Sequence, residues 1–164
     1  MFTGVVMSRV KDLLLAIAIT YIAPAAYYQV GQNYLHGSYY PHYDLFYFAI
    51  YPVITMAIVL FLRPPALFLS GVALAFLITY LLLFSRETLW PSDLVGVDLM
   101  FATPGAIVGA MLAAKRLQKR VVTSPSLALA FSLIGTISGF MLVDLLFCNS
   151  LFYCGPFSLM FYFR

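Results

Sequence analysis

Charge is what this chain has least of. Among 164 residues there are nine Lys or Arg and six Asp or Glu, 9% of the chain, too few to cover the surface of a water-soluble fold with polar groups. Histidine is nearly absent, and both copies, His36 and His42, sit in one Tyr-rich stretch outside the long apolar runs. That placement argues against a bis-histidine haem subunit. The sequence contains no P-loop, no dinucleotide fingerprint, no HExxH and no nucleophile elbow, so none of the chemistries those motifs carry is supported. An enzyme is therefore not expected, nor is a cofactor, and metal binding by His36 and His42 is a weaker reading than their place in an interfacial loop. The longest polar connections are about a dozen residues, too short to form a soluble domain of their own.

Apolar sequence fills the space that charge leaves. Hydrophobic residues make up 63% of the chain and the mean hydropathy is +0.98, which predicts an all-α integral membrane protein of one domain, a bundle of five transmembrane helices. The apolar runs place these at 13–30, 44–62, 66–84, 94–114 and 125–147, followed by an interfacial tail over 148–164. Pro24 should kink the first helix, Pro64 and Pro65 should make a tight turn between the second and third, and Pro125 suits a first-turn position. Trp90 and the tyrosines around His36 and His42 fit an interfacial belt, where an amphipathic ring meets water.

The few charges then orient the bundle. With the N-terminus in the cytoplasm, five spans put Arg9, Lys11, Arg63, Lys115, Arg116, Lys119 and Arg120 inside and leave only Arg86 and Arg164 outside, the bias expected of short loops at a cell (inner) membrane. Basic residues gathered at helix ends read as topology signals rather than as a nucleic-acid surface. Of the acids only Asp12 falls inside; Asp44, Glu87, Asp93, Asp98 and Asp144 fall in the outer half. Asp98 and Asp144 lie within spans, where a carboxylate is costly, and they and Glu87 are the candidate functional acids. Asp98 and Asp144 come to similar depths, so a shared proton, a bound cation or a basic group of a partner are the chemistries open to them.

Two GxxxG patterns form a second constellation, Gly105 with Gly109 in helix four and Gly135 with Gly139 in helix five. In lipid there is no hydrophobic drive between helices, so close backbone approach at small residues is a main source of association. At 100° per residue Asp98 falls within about 20° of the helix-four glycines, whereas Asp144 lies about 140° from Gly139. Helix five is thus expected to show its glycines to one neighbour and its carboxylate to another. Helix three has no repeated small-residue spacing, so Gly71 is expected to matter less for packing than Gly109. Cys148 and Cys154 are a candidate disulfide in the outer tail, with reduced structural thiols the other reading.

The expected function is that of a non-catalytic inner-membrane protein that binds a partner protein in or at the outer leaflet, such as an accessory subunit or an immunity-type protein. Its partners are then the lipid bilayer and another membrane protein or further copies of itself, with no nucleic acid. The alternative is a small oligomeric transporter or channel subunit with an acidic site at Asp98 and Asp144. A lipid-acting membrane enzyme ranks behind both, because no motif supports it.

Overall fold

A computed structural model describes residues 9–22, 25, 41–89, 95–119 and 124–150. They form an all-α five-helix bundle: α1 over residues 9–22, α2 (Pro41–Leu60), α3 (Phe68–Leu89), α4 (Val95–Gln118) and α5 (Pro125–Ser150). α2 packs on α3 and α4, α4 on α5, and α5 on α3. The four thus close a ring in the order α2, α4, α5, α3. α1 joins the common core through Ala16, with Leu13 and Ile19 packed against it.

Among the described residues one helix, Pro125–Phe147, is long and apolar enough to cross a membrane, and Phe48–Leu60 and Phe68–Leu83 are shorter apolar helices. Of the apolar window in Pro125–Phe147, 22% is buried in the bundle.

Several helix limits differ from the sequence expectation. α3 starts at Phe68 and runs to Leu89, so Ser85–Leu89, expected in a loop, is helical. Arg86, Glu87 and Leu89 are good helix formers, and the next strong stop is Pro91, which restricts the residue before it. α4 continues past residue 114 to Gln118, with Lys115 and Arg116 in its last turn, where cations complement the negative helix end. α5 continues through Ser150, taking the first residues of the expected tail. The kink assigned to Pro24 falls outside the described residues.

The α4–α5 pair is antiparallel and built on backbone contact. A Cβ added at Gly109 would lie under 3.0 Å from the Gly135 carbonyl oxygen, and one at Gly105 or Gly139 would meet the other's carbonyl oxygen as closely. Glycine is required here because the neighbouring main chain already occupies the volume of a methyl group. Ala113 extends the seam, its Cβ 2.8 Å from where a Gly135 Cβ would stand. The same close approach recurs between α3 and α5: a Cβ on Gly71 would strike Ser132 Oγ and stand 2.7 Å from the Leu129 carbonyl oxygen. Gly71 therefore lies in a close helix contact without any repeat to announce it, because its partner small residue, Ser132, is on another helix.

Two polar clamps fix the remaining helices. Pro52 stands inside α2 and has no N–H for the carbonyl four residues earlier, that of Phe48. Tyr80 of α3 donates its hydroxyl to that carbonyl oxygen at 2.8 Å, while its ring meets Phe48 edge-on at 5.0 Å and 78°. The second clamp accounts for the start of α3. The cap position, Leu67, has no side-chain acceptor and a φ of 65°, so the first-turn N–H groups need partners elsewhere. Phe68 N–H donates to the Pro65 carbonyl at 3.3 Å and Gly71 N–H to Leu67 at 3.2 Å. Between them, Leu69 and Ser70 donate their N–H groups to the carboxylate of Asp12 at 3.1 and 3.0 Å, and Ser70 Oγ donates to Asp12 Oδ1 at 2.5 Å. A buried carboxylate of α1 thus caps α3 across the bundle.

Candidate functional site

Of the three candidate acids, Asp144 is the one whose side chain is described. It is 7% exposed and belongs to a buried row on α5 with Ala128, Ser132, Thr136 and Phe140. The row recurs every four residues, so it follows one helix-packing ridge. Asp144 is not without a partner. Asp98 lies in the first turns of α4 and Glu87 in the last turns of α3; the side chains of both fall outside the described residues, as do Cys148 at its side chain and Cys154, His36, His42 and Trp90 altogether.

The seam still fixes the level of the two acids in the α4–α5 pair. Gly105 stands opposite Gly139 and Gly109 opposite Gly135, so in antiparallel register residue 98 faces residue 146. That puts the Asp98 backbone about two residues, roughly 3 Å along the axis, from the level of Asp144. Around the axis Asp144 is turned away from the glycine face that α4 occupies.

Elsewhere the buried polar groups are already engaged. Thr20, Thr55, Thr79 and Thr136 each donate to the carbonyl four residues back at 2.7 to 2.9 Å, and Thr103 does so at 2.5 Å. Among the described residues no buried side-chain nitrogen or oxygen lacks a hydrogen-bond partner, and no group of three or more metal-ligating side chains gathers.

Outward, the described surface is apolar along the helices and basic at one end. Leu14 and Tyr21 of α1, Leu81 and Leu82 of α3, Val108 and Leu112 of α4, and Ile134 and Leu146 of α5 are all at least half exposed. The basic end is drawn together by the Asp12 clamp and by Gln118, whose Nε2 donates to the Leu62 carbonyl in the α2–α3 turn.

In the sequence Asp12 stands out only as one inner negative charge. The signal that could have found its role is the segment Ala66-Leu67-Phe68-Leu69, which opens a helix with no Ser, Thr, Asp or Asn to cap it and so demands an acceptor from elsewhere. Tyr80 had a comparable signal in Pro52, a proline inside a helix with a carbonyl left to satisfy.

In comparisons with known proteins, no family model, no curated protein and no solved structure matches the chain.

Proposed function

We propose that this chain is a multi-pass protein of the cell (inner) membrane, N-terminus in the cytoplasm, that works without catalysis by binding a partner protein in or at the outer leaflet. The observation that carries the reading is the division between inside and outside: large apolar side chains stand exposed on every helix, while the described buried polar atoms are satisfied within the bundle. In water such a surface would aggregate; against lipid or an apolar partner it is at equilibrium. The tight α4–α5 seam also argues against a pathway between these two helices of one chain.

The alternative, an oligomeric transporter or channel subunit, draws on Asp144, a carboxylate buried in the one described helix long and apolar enough to cross a membrane. Isolation of the tagged protein from its own membranes in a mild detergent separates the two. A stoichiometric second protein supports partner binding, and its loss on substitution of exposed α1 or α5 leucines would locate the contact. A homo-oligomer alone, with ion or proton flux in liposomes that Asp144→Asn abolishes, would replace the first reading with the second.

A further inference from the structure

The basic end of the bundle holds more charge than orientation needs, and it is assembled rather than scattered. Three separate segments deliver it. The start of α1 brings Arg9 and Lys11, the α2–α3 turn brings Arg63, and the end of α4 brings Lys115, Arg116 and Lys119, all six exposed. Asp12 holds the first segment against α3 through Leu69 and Ser70, and Gln118 holds the third against the second through Leu62. The positive-inside rule operates on charge per loop and makes no demand that the loops be fastened together.

Nothing fixed in the described residues neutralises this end. Asp12, its one acid, is 3% exposed and engaged by the start of α3. Of the other helix termini here, the starts of α1 and α5 offset the ends of α2 and α4, so helix dipoles supply no net negative charge. Lys115 and Arg116 complement the end of α4, which leaves four cations without that role. Beside them Phe61 is 86% exposed and Leu60 47%, bulky apolar groups next to Arg63.

We propose that this end is a docking surface for anionic phospholipid headgroups, the phosphates held by the cations of the three segments while Phe61 enters the acyl boundary beside them. The proposal rests on the membrane reading above. A soluble polyanion would match the charge and leave Phe61 and Leu60 in water; a lipid meets both requirements.

The test uses the full-length protein exchanged into mild detergent containing equal amounts of phosphatidylglycerol and phosphatidylcholine, with retained lipid quantified by mass spectrometry. Retained lipid should be enriched in phosphatidylglycerol, and the enrichment should fall as salt is raised. In Lys11→Gln/Lys119→Gln, with both positions exposed, outside the core and not among the cations that complement the end of α4, affinity for phosphatidylglycerol should fall about fivefold per charge removed. Retention of phosphatidylcholine and the melting temperature in phosphatidylcholine alone should be unchanged. Should that variant fail to fold, the salt dependence on the wild-type protein decides alone. No enrichment, enrichment insensitive to salt, or RNA binding to protein in phosphatidylcholine alone would overturn the proposal. Extraction of the protein from native membranes by alkaline carbonate would instead sink the membrane reading itself, so the two failures are distinguishable.

Discussion

Tyr80→Phe isolates one hydroxyl from everything else its residue does. The ring contacts with Phe48 at 5.0 Å and Phe76 at 5.9 Å remain available to phenylalanine, and only the 2.8 Å bond to the Phe48 carbonyl is lost. That carbonyl is buried and faces Pro52, which cannot replace the donor. Removing a buried donor of this kind costs about 1–3 kcal/mol, toward the lower part of that range if the surroundings are lipid, where such bonds average about 0.6 kcal/mol and reach about 1.7.

The magnitude becomes diagnostic in a Pro52→Ala background. Alanine restores the N–H that the Phe48 carbonyl lacks in α2, so Tyr80→Phe should cost little there, and the double-mutant cycle should show a coupling of about 1 kcal/mol. Pro52→Ala also removes buried volume, but that loss is common to both arms and cancels. Melting of the four proteins in one detergent is the assay. If Tyr80→Phe costs the same in the Pro52→Ala background as in the wild-type protein, the hydroxyl is not standing in for a missing backbone donor and the account of how α2 and α3 are fastened fails.

Asp12→Ala should cost about 2–4 kcal/mol, because two N–H groups and a hydroxyl lose a buried charged acceptor; a melting temperature within error of wild type would show that α3 is capped some other way. Gly109→Ala should destabilise by about 1–3 kcal/mol, since the methyl group meets backbone on α5, and more than Gly71→Ala. Gly71→Ala should still be destabilising and should be partly rescued by Ser132→Gly; an additive double variant in thermal melts would refute the Gly71–Ser132 contact. For orientation, a single cysteine introduced at Lys119, with Cys148 and Cys154 replaced by serine, should react with an impermeant maleimide only after the inner membrane is permeabilised, while one at His36 should react from outside. The opposite sidedness would invert the proposed topology.

What was legible in the sequence was local. Five helical runs can be read from apolar composition and from Pro64, Pro65 and Pro125, because helix formation and its interruption depend on neighbours in the chain. The small-residue spacing in α4 and α5 could be read too, but that the two glycine pairs lie against each other in antiparallel register required the fold. What escaped were pairings across the chain. Asp12 caps a helix 58 residues away, and Tyr80 serves a carbonyl 32 residues away; each is prompted by a local defect, a capless start or an internal proline, whose remedy no local pattern names. Gly71 escaped for the same reason, its counterpart Ser132 being on another helix. The α3 end lies beyond its expected limit because the polar residues after Phe84 read as a loop, although Arg86, Glu87 and Leu89 favour helix as much as the apolar run before them.

The way the bundle is closed bears on where its work can be done. Opening the α4–α5 pair enough to admit a ligand would separate main chain from main chain along Gly105, Gly109, Gly135 and Gly139, forfeiting dispersion contacts along the whole seam. The α1 attachment differs in kind, since it rests on the Asp12 hydrogen bonds at one end and on a narrow apolar contact at Ala16. α1 buries Asp12, Ala16 and Thr20 and exposes Val10, Leu14, Leu15, Ile17, Tyr21 and Ile22, a narrow attachment with a broad free flank. On the proposed reading this makes α1 the element most easily shared with another protein: a partner helix could cover its apolar flank without disturbing the ring of α2 to α5. Substitution of Leu14 and Ile22 by alanine should then weaken partner recovery while leaving the melting temperature of the isolated protein unchanged. If both fall together, α1 is an integral wall of the bundle, and the partner surface must be sought on α5 instead.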